Sequence, residues 1–426
     1  MPSQIIGLRM SILLVFLSFP VKAQSRTELV GGNEAVANEV LVKFREGNAP
    51  GLARALEATN IDGARAVGAN GWVLLHSRTD SAASLIRNFQ PGRQVAFVEP
   101  NYVVHANLIP DDPLWPSLWG MVKISAPDAW DITTGSTASV VAVVDTGISY
   151  NHEDLAGNVW SAPTGFTVTI GGVDITCAAG THGFNAIART CDPLDDHGHG
   201  TQVSGIAGAV GNNGLGVVGV NWTASIMASK FLSAGGSGTI ADAIDAMEFT
   251  IQAKAILGEA ANVRVLSNSW GGGGFSKALY DEIVSTRDHD MLFVAAVGSS
   301  ASDMDLHPYY PASYDVENVI AVMATTESDE RAPFSNWGRN SVHLGAPGVV
   351  ILSTTRTGYA NFSGTSPATA HVSGAAGLVL SACDLDTPTL KQVLLDNVDL
   401  IDALDGLSVT GGRLNVYQAV AACVSP

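Results

Sequence analysis

The chain has 426 residues, 46% of them hydrophobic and 15% charged, and a formal net charge of −18 at pH 7. Composition of this kind belongs to packed globular domains and not to disordered chains. The negative charge argues against a nucleic-acid partner or an anionic membrane surface, since either would be repelled.

At the N-terminus Arg9 precedes an apolar run, Ile12 to Phe19, followed by Val21-Lys22-Ala23. A short positive region, an apolar core and a small residue describe a secretory signal peptide over residues 1–23, with cleavage expected after Ala23. The run is too short to span a bilayer, and no later segment is apolar for long enough, so no membrane span is expected. A secreted, extracellular protein is the consequence.

Residues 24–110 carry the pattern of a small α+β domain. "NEVLVKF" alternates as a strand, "APGLARALEA" has helical spacing, "GWVLLHS" is a strand, "SAASLIRNF" a helix and "VAFVEPNYVVHA" a last strand. That order fits a split βαβ, ferredoxin-like unit. "NLIPDDPLWP" then reads as an exposed boundary. Residues 111–426 form the second domain. Apolar strands ("SVVAVVDTG", "ASIMASKFL", "NVRVLSNSWGGGG", "DMLFVAAVGSS", "NVIAVMATT") alternate with helices such as "TIADAIDAMEFTIQAKAIL". Continuous apolar strands belong in a parallel sheet covered on both faces, so the fold class is α/β with a doubly wound parallel sheet. Ligands bind at the carboxyl ends of such strands, which puts Asp145, the 269–272 loop and Gly298-Ser299 on one edge. The four cysteines allow three pairings. Sequence does not choose among them; the sequence-local one, Cys177 with Cys191 and Cys383 with Cys423, is preferred, and a metal site is the rival, which no CxxC or matching histidine spacing supports.

Three stretches carry chemistry. "VAVVDTGI" presents Asp145 just past a buried strand, "DDHGHGTQVSGIAGAV" presents His199 between glycines where a helix begins, and "SGTSPATAHVSG" presents Ser366 at the mouth of another. Serine needs a base beside it to act as a nucleophile. Histidine is that base because it titrates near neutral pH, and a carboxylate fixes its tautomer and stabilises the imidazolium. His197 is the competing histidine and reads as a surface residue, and His371 reads as packing.

Together "VVDTGI", "HGHGT", "SNSWGGG" and "SGTSxATxHVSGAA" resemble the subtilisin-like serine proteases, and residues 24–110 resemble the inhibitory propeptide of such enzymes, down to "VEPNYV" before the junction. The resemblance implies a subtilisin-like peptidase domain made as a zymogen, a serine endopeptidase acting on protein or peptide substrates and inhibited by its own propeptide. It makes Asp145 the orienting carboxylate, His199 the general base and Ser366 the nucleophile. It makes Ser269, Trp270, Gly271, Gly272 and Gly298 substrate-binding residues. It also implies a structural Ca²⁺ held by Asp154, Asn213 and the carbonyls of Leu215 and Val217, oxygen ligands of the kind this cation takes. A monomer is expected.

The sequence departs from the family around the chemistry. Ser299 stands where the family has the asparagine that donates to the oxyanion, and Thr365 is a possible substitute donor. Pro367 and Ala370 replace a methionine and a proline beside the nucleophile, and Pro367 is expected to hold Ser366 in extended backbone. Gln202 stands where a second histidine is common. These departures leave two other classes open, a binding protein on a protease fold and an esterase or acyl-transfer variant.

Overall fold

The computed structural model describes residues 26–31, 33–45, 60–104 and 108–424. The expected leader with its cleavage after Ala23, and the helix expected over 49–58, lie outside the described residues. The chain divides into two compact units, Met1–Ala106 and Asn107–Pro426.

The first unit is an antiparallel sheet of β1 (Thr27–Val30), β2 (Asn33–Phe44), β3 (Ile61–Val67), β4 (Trp72–Ser77) and β5 (Val95–Tyr102). β4 and β5 both pair with the same stretch of β2, so they flank it and the order is β3-β4-β2-β5. β1 folds back on the start of β2 as a hairpin. This is the strand order of a split βαβ unit. The alternation in β2 turns Val40 and Val42 inward, onto Leu75, Ala82, Leu85 and Phe89. The helix Ala82–Asn88 starts where the Ser81 side chain accepts from the Ser84 N–H.

The second unit is built on a nine-stranded sheet. In chain order its strands and hairpins are β6 (Gly135–Asp145), β7 (Phe166–Ile170), β8 (Val173–Cys177), β9 (Gly183–Asn185), β10 (Thr223–Lys230), β11 (Val263–Asn268), β12 (Leu292–Ala296), β13 (Val319–Thr325), β14 (Leu344–Pro347), β15 (Ile351–Thr354), β16 (Tyr359–Phe362), β17 (Asp399–Leu400) and β18 (Gly412–Arg413). The sheet runs β9-β10-β6-β11-β12-β13-β14-β18-β17, parallel throughout except for the last pair. β7–β8 and β15–β16 are separate hairpins.

Both faces of the sheet are covered. Val141 and Val143 of β6 point into a core shared with the helices His199–Gly208 and Thr365–Ala382, whereas Val140, Ala142 and Val144 point into a second core against the helices Ile240–Leu257 and Lys277–Asp288. That double burial is why the strands read as continuous apolar runs. β6 sits between β10 and β11, where the winding reverses, so the carboxyl end of β6 opens onto a crevice. The cysteines pair as Cys177–Cys191 and Cys383–Cys423.

Candidate active site

Asp145 is the last residue of β6 and is fully buried. The Thr146 N–H donates to its Oδ1 at 2.7 Å. His199 opens the helix His199–Gly208, and its Nδ1 lies 2.9 and 3.0 Å from Oδ1 and Oδ2 of Asp145. Nδ1–H is therefore the donor to the carboxylate, and Nε2 is left to accept a proton. Burial disfavours the imidazolium, but the Asp145 charge, the hydrogen bond to it and the Asp195 charge outweigh burial, so His199 titrates above its ordinary range.

The glycines of the two motifs let these segments touch. Gly147 has φ +100°, and a Cβ there would lie 2.2 Å from the Pro193 carbonyl oxygen. A Cβ on Gly200 would lie 2.1 Å from the Gly147 carbonyl oxygen. The first turn of the histidine helix thus rests on the turn after Asp145, and the Gly200 N–H donates to Thr146 Oγ1 at 2.8 Å. Asp195, which the sequence reading passed over, anchors this turn. Its Oδ1 accepts from the N–H groups of His197 and Gly198 (2.9 and 2.8 Å), and its Oδ2 accepts from the Thr201 N–H and hydroxyl (3.0 and 2.6 Å). A carboxylate just before a helix start was the available signal. His197 is exposed at the cleft, and His371 is fully buried with its Nδ1 2.9 Å from the Pro367 carbonyl oxygen, so both sit as read.

Ser366 is the second residue of the helix Thr365–Ala382. Its hydroxyl donates to the Ser269 carbonyl at 2.9 Å, and the Ser269 hydroxyl donates to the Ser366 carbonyl at 3.1 Å. The Ser366 hydroxyl is thus bonded to the Ser269 carbonyl. The extended backbone expected at Ser366 is not found, because Ser366 is already helical. Pro367 falls in the first turn, where a backbone N–H has no intrahelical acceptor to lose, and burial of the helix outweighs the local bias against helical angles before proline. Pro367 and Ala370 are both buried.

The loop after β12 meets the start of this helix. The Gly298 N–H donates to Thr365 Oγ1 (3.2 Å), and the Thr365 N–H donates to Ser299 Oγ (3.4 Å). Thr365 is 3% exposed and clamps loop to helix, whereas Ser299 is exposed and its hydroxyl proton is not donated to any described residue. Asn336, also missed in the sequence, holds the loop from beneath. Its Oδ1 accepts from the Ser300 and Ser302 N–H groups (3.0 and 2.9 Å), and its Nδ2 donates to the Val297 carbonyl (2.7 Å). Ser269, Trp270, Gly271 and Gly272 follow β11 and line a cleft of about 640 Å³ that also contains Thr146 and His199. The Trp270 ring lies 4.7 Å from the Phe231 ring, edge to face.

Residues 136–413 match the model of the subtilase family, peptidase S8. The chain is 33% identical to the thermophilic serine proteinase of Bacillus sp. (strain AK1), over 90% of this chain and 88% of that one. It belongs to the subtilase family. It is also 36% identical to thermitase of Thermoactinomyces vulgaris, over 73% of this chain and 99% of thermitase. A solved protease of Pseudoalteromonas arctica superposes with a TM-score of 0.58 at 26% identity, covering 74% of this chain and 99% of that one. As a subtilase the chain is a peptide hydrolase, and its substrates are peptides.

The loop singled out for calcium in this subtilase, residues 210–217, lies in the second unit beside Asp154. Asp154 is fully buried; its Oδ1 accepts from Asn213 Nδ2 and its Oδ2 from the Val217 N–H, both at 2.8 Å. The Leu215 N–H donates to Asn213 Oδ1 at 2.8 Å. Asp112, in the boundary segment, joins them and was not foreseen. It is 2% exposed, its Oδ2 accepts from the Asn212 N–H at 2.7 Å, and its Oδ1 has no hydrogen-bond partner among the described residues. Burial raises the pKa of both carboxyls, and Asp112 adds to the rise at Asp154. Among the described residues no cluster of three or more His, Cys, Asp or Glu side chains could hold a metal, so a cation here would depend on amide and carbonyl oxygens as well. No helix among the described residues is long and apolar enough to cross a membrane.

Proposed function

We propose that this subtilase is a secreted serine endopeptidase, made as a zymogen, in which Asp145, His199 and Ser366 act as a triad. The observation that carries the reading is the pairing of His199 Nδ1 with the buried Asp145 carboxylate beside the cleft that Ser269 lines, with Ser366 bonded to Ser269. In the reaction His199 Nε2 takes the Ser366 proton as Oγ attacks the peptide carbonyl. The Ser366 N–H and the Ser299 hydroxyl receive the developing oxyanion. His199 then gives its proton to the leaving amine, and water hydrolyses the acyl-enzyme by the same route in reverse. The Ser269–Gly272 segment takes the substrate backbone as an added strand, with Gly298 on the opposite wall.

Residues 24–110 serve as the inhibitory propeptide, removed by cleavage in about the 104–112 region. The leader over 1–23 directs export. The mature enzyme is a monomer. Calcium is its structural cofactor, held by Asp112 and Asp154, the Asn213 side chain and the carbonyls of Leu215 and Val217. The orphaned, buried Asp112 oxygen and the hard oxygen donors around it suit that ion. Bound there, it offsets the charge of two buried carboxylates and ties the boundary segment to the loop.

The test is casein hydrolysis by the purified protein in calcium buffer, wild type beside Ser366→Ala. Loss of hydrolysis and of shortening of the full chain in Ser366→Ala supports the reading. Unchanged activity in that variant contradicts it, and a folded, processed wild type without activity returns the binding-protein reading. A second reading, an ester-selective acyl-transfer enzyme, is favoured by the short arm of Ser299. It requires an ester-to-amide rate ratio well above that of Ser299→Asn.

A further inference from the structure

We propose that Tyr309 sets which side chain can precede the cleaved bond, and that it restricts this enzyme to small ones: glycine, alanine and serine. The inference rests on the serine-peptidase reading above, since it takes Ser366 as the point of attack.

Gly271 belongs to the segment after β11, and Gly298 to the loop after the neighbouring strand β12. The two glycines therefore stand on the two walls next to the reacting serine. Ser269, two residues before Gly271, is bonded to Ser366, and Ser299, next to Gly298, accepts the Thr365 N–H. A substrate whose carbonyl carbon sits at Ser366 Oγ sends the side chain on its acyl side between those walls.

One ring already occupies that gap. A Cβ built on Gly271 would lie 2.3 Å from Tyr309 Cε1, and a Cβ built on Gly298 would lie 2.9 Å from the same atom. Neither glycine could carry a side chain: the Tyr309 ring packs against both backbones, joined by Asn336 Nδ2 at Gly298 and the Tyr310 carbonyl at Gly271. The same ring lines the cleft that holds His199 and Ser269. It is also held in place. The Tyr309 N–H donates to Ser313 Oγ (2.9 Å), and the next residue's carbonyl, Tyr310 O, accepts the Gly272 N–H (2.8 Å). Tyr310 in turn packs on Tyr314 with ring centroids 4.6 Å apart. A large side chain could enter only by displacing a ring wedged between two backbones, whereas a methyl group or less leaves it in place. Close packing makes a site of this kind sensitive to single methylene groups.

The experiment uses protein expressed as the full chain and peptide anilides that differ only in the residue before the anilide: alanine, leucine or phenylalanine. Wild type is expected to have kcat/KM for alanine at least about 10-fold above that for phenylalanine. Tyr309→Gly should raise the phenylalanine-to-alanine ratio by about 100-fold. Tyr309→Phe, which keeps the ring, should leave the ratio unchanged. A wild type that prefers phenylalanine or leucine overturns the proposal, and so does a ratio that Tyr309→Gly does not move. Should Tyr309→Gly fail to fold, mass-spectrometric mapping of casein fragments from wild type decides. Cuts after glycine, alanine and serine support the inference, and cuts mainly after aromatic residues or leucine refute it. Cleavage of every substrate that persists in Ser366→Ala would instead remove the underlying reading.

Discussion

Ser299 puts a hydroxyl where relatives by resemblance carry an amide, and its geometry defines what it can do. Its oxygen accepts the Thr365 N–H, so its proton remains to be donated toward the cleft. The arm is shorter than that of asparagine, so the oxyanion contact proposed for it would be made at longer range. Loss of one oxyanion donor costs about 10²–10³ in turnover. Ser299→Ala is therefore expected to lower kcat by about 10-fold, and Ser299→Asn to raise it by about 10-fold, with KM little changed in either. Steady-state kinetics on one amide substrate checks both. The Asp145–His199 contact supports a second expectation. The base works only when neutral, and Asp145 holds its pKa above the ordinary histidine range. kcat/KM should therefore be low in acid and rise with pH through that elevated pKa. Asp145→Asn should shift the midpoint downward and cut kcat by about 10⁴, because the tautomer is no longer fixed. A pH–rate profile of both proteins reads the two effects together.

The helices that deliver these side chains carry stability terms of their own. Asp195 gathers three backbone N–H groups and the Thr201 hydroxyl at the start of the histidine helix. Asp195→Ala leaves those donors unpaired, the two of Thr201 buried, and should destabilise the second unit by about 2–3 kcal/mol, measured by denaturant unfolding. On the serine helix, burial of His371 depresses its pKa from 6.5 to about 4. Between those values the unfolded chain binds a proton that the native chain does not. The contribution of His371 to stability is thus complete above pH 6.5 and declines as pH falls toward 4, by about 3 kcal/mol. His371→Gln should flatten that part of the stability–pH curve. Not every element was readable in advance. The strands β6, β10, β11, β12 and β13 announced themselves as apolar runs, and the contact between the Asp145 turn and the His199 helix by the glycines that let them touch. The helical backbone of Ser366 was not readable, since the rule for residues before proline is local and the burial that overrides it is not. Asn336 escaped notice for a related reason. Its three contacts lie about 35 residues away in sequence, and nothing beside it marks the loop it supports.

Across the whole molecule, long-range assembly decides what local patterns could not. Asp112 lies in a Pro- and Asp-rich stretch that read as a boundary, yet folding buries it beside the loop of Asp154 and Asn213. A cation bound only by the folded chain stabilises it by mass action, about 2.7 kcal/mol at a free concentration of 100 times Kd. Chelation should lower the melting temperature of wild type and of Ser366→Ala alike, the latter free of self-digestion. In Asp112→Asn/Asp154→Asn chelation should have little further effect. An identical drop in that variant would mean that the cation binds elsewhere. The chain divides into two units, the first with a split βαβ strand order and the second built on the doubly wound sheet.

Ser366 is therefore where the account is tested most directly. Full-chain protein would be treated with a serine-directed arylphosphonate, and the adduct located by peptide mass mapping in wild type, His199→Ala and Ser366→Ala. The account expects one adduct per chain, on Ser366, slowed strongly in His199→Ala and absent in Ser366→Ala. A folded, processed protein that takes no label on Ser366, or takes it at the same rate without His199, would contradict the triad.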